Sequence, residues 1–324
     1  MLLLDRDFVR RHLSVEACIP LMKQAMSELS AGTTIQPLRS VLHLDQGRAF
    51  GVMPGAMAKG SAVFGAKLVS VYPENFAKGR PSHQGAIAVF DPQSGELAAL
   101  VEASEVTRIR TGCASAAATD VLARRDAKVL AVMGYGEQAM SHVEAIAAIH
   151  PLEQVRVWGR SRERAEAFIS KMAHTGLAFV ACETPSEAAK GADIICTTTA
   201  SAEPILKLVD VAKGTHINAV GSSYAGPYEI APDLVKASRF IADYRQGVLA
   251  QGAEYLVAKD AGLINEDHVV GEIGQVFLNQ LEGRQSDDQI TIYKSLGHVV
   301  QDLACAAWLV EQSRRTGEGT SVPF

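Results

Sequence analysis

The chain has 324 residues, 48% of them hydrophobic, which is enough for two domains with separate cores. Lysine and arginine total 31 against 36 aspartate and glutamate residues, and the net charge of -5 gives no support to nucleic-acid binding. No apolar run reaches the roughly 18 residues of a membrane-spanning helix, the first residues do not resemble a signal peptide, and the five cysteines lack C-x-x-C spacing. The composition therefore predicts a cytoplasmic protein with no metal, nucleic-acid or membrane partner.

Up to Glu102 the sequence predicts a short first strand, one helix and then a series of strands. Residues 14–29 place apolar side chains at helical spacing, and Ala31-Gly32 is a stop signal. Alternating or apolar runs separated by tight turns predict strands at 39–44, 49–53, 63–72, 85–90 and 97–102, with a polar loop at 73–84. Strands so close along the chain favour a mainly antiparallel sheet.

From Ser104 onward the pattern changes to alternating helices and strands. An Ala-rich helix at 104–123 leads to strands predicted at 129–133, 155–158, 178–182, 193–197 and 216–220, with helices after Gly136, at 162–172 and at 186–190. This alternation predicts a parallel, doubly wound Rossmann sheet. A final helix at 299–313 is expected to pack on the first domain. We therefore predict an α/β protein with a sheet domain at 1–118 with 299–324 and a Rossmann domain at 119–298.

The strand at 129–133 enters a G-x-G-x-x-A turn, which is typical of dinucleotide-binding βαβ units. Gly134 permits the tight turn, Gly136 lets a pyrophosphate approach the backbone at the positive end of the next helix, and Ala139 lets that helix lie close on the strand. Glu137 and Gln138 complete the candidate cofactor-binding segment. A packing turn has the same spacing, but the flanking strand and helix favour a dinucleotide site.

The end of the second Rossmann strand reads the 2′ position of the nucleotide, and an acidic residue there favours NAD. This chain has Trp158-Gly159-Arg160-Ser161-Arg162 instead, and the two guanidinium groups and the hydroxyl of Arg160, Ser161 and Arg162 suit a phosphate. We therefore predict NADP, with NAD as the alternative. Arg160 and Arg162 are also typical of solvated residues at a helix start, and an arginine also stacks on adenine.

Three cations stand out in the first domain. Arg39 follows Gln36-Pro37-Leu38 and is expected on a strand, Lys67 lies in an apolar strand, and Arg110 lies near the start of the Ala-rich helix. A cation inside an apolar strand normally has a partner or extends its charge to water. For each residue alone, an ordinary ion pair is the common explanation, and spacing alone does not bring the three together.

With these segments in view, the chain resembles the ornithine cyclodeaminase/μ-crystallin family over nearly its whole length. The order and spacing of the following motifs carry the resemblance: Gln36-Pro37-Leu38-Arg39, Val52-Met53-Pro54-Gly55, Gly65-Ala66-Lys67-Leu68-Val69, Pro81-Ser82-His83-Gln84-Gly85, Thr107-Arg108-Ile109-Arg110-Thr111, Gly134-Tyr135-Gly136-Glu137-Gln138-Ala139, Ile217-Asn218-Ala219-Val220-Gly221 and Tyr293-Lys294-Ser295-Leu296-Gly297. The resemblance implies a Rossmann domain and a substrate-binding, dimer-forming sheet domain that includes the C-terminal helix.

The resemblance also implies roles for individual residues. Arg39, Lys67 and Arg110 hold the substrate carboxylate beside the nicotinamide, and Met53 belongs to the same substrate site. The chemistry fits, because a guanidinium fixes the plane of a carboxylate and an ammonium adds a movable point charge. Further cofactor-binding residues implied by the resemblance are Thr111, Thr197, Thr198, Val220, Gly221, Ser295 and Leu296.

One position departs from the family pattern. Ornithine cyclodeaminases and related alanine dehydrogenases carry an Asp shortly after the glycine that ends the fifth Rossmann strand, whereas this chain has Ser223 there. A serine hydroxyl lacks useful basicity near neutral pH, which makes oxidation of an unactivated amine harder. Reduction of a preformed imine is less demanding, and the ketimine reductases of the family also have a small polar residue here. We interpret Ser223 as a catalytic hydrogen-bonding residue, with capping of the next helix as the alternative.

The sequence thus predicts an NAD(P)H-dependent reductase of α-imino acids that forms an L-amino acid and is a homodimer. Cyclic ketimines such as pyrroline-2-carboxylate or piperideine-2-carboxylate are the leading substrates. A small acyclic imine such as iminosuccinate comes next, because His43 or Arg108 is a candidate for a second carboxylate. His83 is a further catalytic candidate, although a loop histidine more often orders its own backbone. The alternatives are alanine dehydrogenase, ornithine cyclodeaminase and a crystallin-like cofactor-binding protein with little turnover.

Overall fold

The computed structural model describes the residues 1–58, 62–79 and 81–323. Arg80, in the predicted loop at 73–84, therefore lies outside the described residues. The chain divides into two compact units, of which unit 1 comprises Met1–Arg110 and His298–Phe324 and unit 2 comprises Thr111–Gly297.

The secondary structure is mixed in both units. In chain order the strands are β1 (Leu2–Leu4), β2 (Thr34–Ile35), β3 (Ser40–His43), β4 (Ala49–Met57), β5 (Val63–Val71), β6 (His83–Phe90), β7 (Leu97–Glu102), β8 (Val129–Met133), β9 (Gln154–Trp158), β10 (Phe179–Ala181), β11 (Ile194–Thr197), β12 (His216–Ala219), β13 (Arg239–Ala242), β14 (Val269–Glu272), β15 (Thr291–Lys294) and β16 (Thr320–Ser321). The helices are α1 (Arg6–His12), α2 (Val15–Ser30), α3 (Ala103–Leu122), α4 (Glu137–Ala147), α5 (Arg162–Met172), α6 (Pro185–Ala189), α7 (Pro232–Ala237), α8 (Arg245–Gln251), α9 (Ala253–Asp260), α10 (Ile273–Phe277) and α11 (Val299–Thr316).

Unit 1 is built on one sheet with the strand order β16-β1-β7-β6-β5-β4-β2, in which β3 also pairs with β4. The pair of β1 with β7 is parallel and the other pairs are antiparallel, which confirms the predicted mainly antiparallel sheet. The predicted strand at 39–44 is shorter in the structure, because β3 begins at Ser40 and ends at His43. Arg39 therefore lies just before this strand.

Helix α11 packs on α2 and on the central strands β4, β5 and β6. Two glycines of the sheet make this approach close: a Cβ on Gly55 would lie 2.4 Å from Val299 Cγ1, and one on Gly65 would lie 3.3 Å from Leu303 Cδ2. The glycines thereby bring the first turn of α11 onto the sheet face that also carries Lys67. Helix α11 therefore lies in the same unit as the first sheet.

Unit 2 is built on a parallel sheet with the strand order β10-β9-β8-β11-β12-β15-β13-β14. The order reverses direction between β8 and β11, which is the place where doubly wound sheets bind their ligands. Most residues of the core strands are buried, and Ala131, Ile195, Ile217 and Ile292 are among the fully buried apolar ones. The predicted Rossmann architecture is confirmed, and the sequence analysis missed the elements between Gly221 and Gly297, namely α7–α10 and β13–β15.

No helix in the described parts of the chain combines the length and the apolar character needed to cross a membrane.

Candidate active site

Lys67 is a buried cation on the face of β5 that α11 covers. In the sheet register it lies between Met53 of β4 and Ile87 of β6, and its side chain is 5% exposed. Its Nζ donates to Thr107 Oγ1 at 2.6 Å and to Asp302 Oδ1 at 3.2 Å. An ammonium group removed from water in this way is stable only with such partners.

Arg110 approaches the same carboxylate from α3. Its Nε donates to Asp302 Oδ1 at 3.0 Å, and its Nη1 donates to Gln301 Oε1 at 2.6 Å. Thr107 and Arg110 are three residues apart and therefore share one face of the helix. The side chain of Arg110 is 5% exposed and that of Asp302 is fully buried.

The charge of Arg39 also acts on Lys67. Burial lowers the pKa of Lys67 to about 8, because the Asp302 carboxylate only partly offsets it and the charges of Arg110 and Arg39 also disfavour protonation. The structure therefore brings Lys67 and Arg110 to one carboxylate, Asp302, and the charge of Arg39 acts on Lys67. We call Arg39, Lys67, Arg110 and Asp302 the cation cluster.

The sequence analysis missed Asp302, Gln301 and Thr107. A signal for Asp302 exists, because it is the one acidic residue in the run from Val299 to Val310, which is apolar apart from Gln301 and Asp302, and an acid in such a run needs a buried cation. The sequence does not say which cation that is, since Lys67 lies 235 residues away and Arg110 192 residues away.

Three further residues were candidates for the substrate end of the site. Arg108 Nε donates to Glu105 Oε1 at 2.8 Å, so Glu105 already holds this guanidinium. The side chain of His43 is exposed at the end of β3. His83 lies on the same face of the sheet as Lys67, and desolvation together with the charge of Lys67 lowers the pKa of His83.

The glycine-rich turn of unit 2 has the geometry of a phosphate cradle. Gly134 has a φ of +122°, and a Cβ there would lie 2.7 Å from Thr198 Oγ1, so glycine is required. Gly136 is the N-cap of α4, and a Cβ on it would meet open space, which leaves the helix N-terminus accessible to a phosphate. Ala139, in the first turn of α4, is fully buried. These residues fit a dinucleotide.

The segment after β9 presents one open arginine. Ser161 caps α5 by accepting from the Arg164 amide at 3.3 Å, and Arg162 Nε donates to Glu166 Oε1 at 2.9 Å. Arg162 also pairs with Glu183. The side chain of Arg160 is exposed. Two of the three groups expected to meet a 2′-phosphate therefore have protein partners.

The loops after β11 and β12 are tied together by Glu229. Its Oε1 accepts from the amide and the hydroxyl of Thr199 at 2.6 and 2.7 Å, and its Oε2 accepts from the Gly221 amide at 2.8 Å. Burial raises the pKa of Glu229 despite these hydrogen bonds. The carboxylate thus fixes the backbone at Gly221, just ahead of Ser223.

A buried lysine supports the same loop. Lys294 Nζ donates to the Ser222 carbonyl oxygen at 2.6 Å and lies 2.6 Å from Glu254 Oε2, while Glu254 Oε1 accepts from the Glu229 amide at 3.2 Å. Ser223 itself is half-buried. The idea that Ser223 caps the next helix is wrong, because the following helix, α7, begins at Pro232 with Ala231 as its N-cap.

The remaining predicted cofactor residues lie at or just after the carboxyl ends of the unit 2 strands, except Thr111, which lies in α3. Thr198 Oγ1 donates to the Met133 carbonyl oxygen at 2.9 Å. The Leu296 amide donates to Asp243 Oδ2 at 2.6 Å. The others are buried or nearly so, namely Thr111, Thr197, Val220 and Ser295.

The chain matches known proteins over its full length. The model of the ornithine cyclodeaminase/mu-crystallin family matches residues 1–318. The Delta(1)-pyrroline-2-carboxylate reductase of Bacillus cereus is 33% identical over 326 residues, which cover 100% of both chains. The ketimine reductase mu-crystallin of Rattus norvegicus is 35% identical over 322 residues, which cover 97% of this chain and 98% of the relative.

Solved structures are similar over the same length. The Thermococcus litoralis Delta(1)-pyrroline-2-carboxylate reductase in complex with NADH and L-proline has a TM-score of 0.96 and 31% identity, covering 99% of this chain and 100% of that chain. The iminosuccinate reductase of Paracoccus denitrificans in complex with NAD⁺ has a TM-score of 0.93 and 30% identity, and an archaeal alanine dehydrogenase dimer with bound NAD has 0.94 and 28%, each covering 100% of this chain and 99% of the other. The chain belongs to the ornithine cyclodeaminase/mu-crystallin family.

Proposed function

We propose that the protein is an NAD(P)H-dependent reductase that converts α-imino acids to L-amino acids. The observation that carries the proposal is the cation cluster, in which Lys67 and Arg110 are both buried and contact one carboxylate, Asp302. Buried cations that share a carboxylate are suited to bind a second one, and an α-imino acid supplies it. The relatives named for pyrroline-2-carboxylate, ketimine and iminosuccinate reduction support this class of substrate.

The residues of the chain have the roles that imine reduction needs. Arg110 fixes the plane of the substrate carboxylate, and Lys67 and Arg39 add positive charge. Ser223 forms a hydrogen bond with the imine nitrogen, accepting from its N–H when the imine is protonated, or with a water beside it. The bound nicotinamide supplies the hydride. The carbon of an imine that is protonated on nitrogen is already electrophilic. Orientation and charge compensation by these side chains are therefore sufficient, and no strong base is required at position 223.

Cyclic ketimines are the leading substrates, with pyrroline-2-carboxylate first and piperideine-2-carboxylate second. Iminosuccinate is the acyclic alternative, supported by the similarity to an iminosuccinate reductase. It is less favoured because Glu105 already holds Arg108, one of the two groups expected to meet a second carboxylate. Met53, opposite Lys67 in the sheet and 7% exposed, belongs to the same substrate site.

The glycine turn and the open N-terminus of α4 support binding of a nicotinamide dinucleotide. We propose NADPH as the preferred form and NADH as an accepted one. The preference rests on the lack of an acidic residue in the segment 158–162 and on the exposed Arg160. Substitution of Arg160 by Ala is expected to weaken NADPH binding and to leave NADH binding nearly unchanged.

A homodimer is part of the proposal. The sheet face of unit 1 that points away from α11 exposes large apolar side chains, namely Ile35, Leu42, Phe50, Phe64 and Leu68. Contiguous apolar surface of this kind marks a protein interface, and a second copy is favoured because one similar structure is a dimer. Sedimentation analysis of the wild-type protein tests this directly.

All five cysteines are buried free thiols, which fits a cytoplasmic location.

The test of the function is an absorbance assay of NADPH and NADH oxidation with a panel of cyclic and acyclic imines. Turnover of a cyclic ketimine with formation of the L-amino acid is the expected result. An ornithine cyclodeaminase would instead release ammonia from ornithine without net accumulation of NADH. Tight cofactor binding with no turnover of any imine would contradict the reductase and favour a crystallin-like binding role.

A further inference from the structure

We propose that Asp302 is the positioning residue of the cation cluster: it keeps Lys67 as an ammonium ion and fixes Arg110, so that both side chains present donors to the substrate carboxylate. The inference rests on the proposed function, because the carboxylate belongs to the substrate of that function. Asp302 acts through the two cations, since a carboxylate that touched the substrate carboxylate itself would repel it.

Two acceptors fix the guanidinium of Arg110. Asp302 and its neighbour Gln301 accept from Nε and Nη1 of the guanidinium. Two fixed acceptors on one helix hold the plane of the guanidinium, which is the feature that makes arginine specific for carboxylates. These two hydrogen bonds use Nε and Nη1 of the guanidinium, and they leave Nη2 for a ligand oxygen.

The charge state of Lys67 also depends on Asp302. The charged or titratable groups that act on its ammonium are Asp302 on α11, Arg110 on α3, Arg39 ahead of β3 and His83 on β6. Of these, only the Asp302 carboxylate favours the ammonium form, while burial and both arginines disfavour it. The present balance leaves the pKa of Lys67 at about 8, so the ammonium form prevails at neutral pH.

Asp302 is itself held in place by the packing of α11. Its helix packs closely on the sheet, because Val299 occupies the space that a Cβ on Gly55 would need and Leu303 Cδ2 lies 3.3 Å from where a Cβ on Gly65 would be. Asp302 is fully buried between these contacts. A carboxylate held this firmly sets the positions of the side chains that bind it, instead of following them.

The decisive experiment compares the pH profiles of kcat/KM for wild type and Asp302→Asn, with pyrroline-2-carboxylate and NADH. In the wild type, kcat/KM is expected to fall as Lys67 loses its proton near pH 8. In Asp302→Asn, which keeps the shape and removes the charge, this alkaline limb is expected to move to lower pH by about one unit or more. At pH 7 the loss of about tenfold or more should appear mainly in KM, because the cations bind substrate.

The matched control is Glu105→Gln, which removes another nearly buried carboxylate of unit 1 that pairs with Arg10 and Arg108. The control is expected to keep the alkaline limb at its wild-type pH. A limb that does not move in Asp302→Asn, despite lower activity, would overturn the proposal and leave Asp302 with a purely structural role.

A second variant covers the case in which Asp302→Asn does not fold. Thr107→Val removes the other acceptor of Lys67 without changing any charge, so the limb should stay in place if Asp302 sets it. A limb that moves in Thr107→Val would contradict the assignment. Isothermal titration with pyrrole-2-carboxylate, a planar analogue, measures the same pH dependence without turnover. Failure of the reductase function therefore shows in the assay, while failure of this inference shows in the pH dependence of binding.

Discussion

Two lysines are buried among the described residues, Lys67 in unit 1 and Lys294 in unit 2, and their surroundings differ. Lys294 lies 2.6 Å from Glu254 Oε2 and donates to the Ser222 carbonyl oxygen, and a second carboxylate, Glu229, accepts hydrogen bonds nearby. Around Lys67 the cations outnumber the carboxylates instead. It shares the single carboxylate of Asp302 with Arg110.

The difference separates a structural ionic network from a ligand-binding one. Around Lys294 the carboxylates outnumber the cation and every one of them has a donor within unit 2, so the network holds the loop at Ser222 without an external ion. Around Lys67 the cations outnumber the carboxylate, and an anion from outside improves the balance. A buried cation therefore points to a binding site only where its internal partners are too few.

The variants Lys294→Met and Lys67→Met test most strongly whether the two networks differ in this way. Removal of Lys294 leaves Glu254 buried without its cation, and the expected loss is about 3–5 kcal/mol in the free energy of unfolding. Removal of Lys67 leaves Asp302 paired with Arg110, so the expected change is within about 1 kcal/mol. Urea denaturation of both variants at pH 7 measures the two values.

Each variant of this pair is the control of the other, since both replace a buried lysine by methionine. Equal losses of stability would show that the two clusters are alike and that the surplus of cations around Lys67 has no special meaning.

The second prediction concerns activity. Arg110→Ala is expected to reduce kcat/KM by at least about a hundredfold, because it removes a buried, charge-assisted contact to the substrate carboxylate. Cofactor affinity, measured by the fluorescence of bound NADH, should stay near the wild-type value. Arg108→Ala serves as the matched variant, two residues away on the same helix and paired with Glu105. A loss in Arg108→Ala as large as in Arg110→Ala would contradict the assignment of Arg110.

The sequence predicts the architecture where the local pattern is strong. The alternating strands of unit 1 and the βαβ units up to Ala219 carry clear periodicity, and the structure has them within a few residues. The short elements from α7 to β15 were missed, because helices of five to eight residues contain too few turns to show a period. The helix α1, only seven residues long, was missed for the same reason.

The candidate site divides in a similar way. Lys67, Arg110 and the glycine turn stand out in the sequence, since each is unusual among its neighbours. Asp302 and Glu229 were missed because their partners are distant in the chain: Asp302 contacts Lys67 across 235 residues, and Glu229 contacts Thr199 across 30. The contacts of Asp302 form only when β5, α3 and α11 pack together in the folded chain.

The smallest expected effect is the pH dependence of stability, and it sharpens the comparison at Lys67. The pKa of Lys67 is about 8 in the folded chain against an ordinary 10.5, so the unfolded chain binds more protons between these values. The stability of the wild type relative to Lys67→Met should therefore rise with pH through this window, by about 1–2 kcal/mol between pH 7.5 and 9.5. Urea denaturation of both proteins at the two pH values gives the difference, in which the other titrating groups cancel. Activity should fall over the same pH window in which stability rises. The proton on Lys67 would thus favour substrate binding and destabilise the fold, which is the expected behaviour of a cation that is buried in order to bind a ligand.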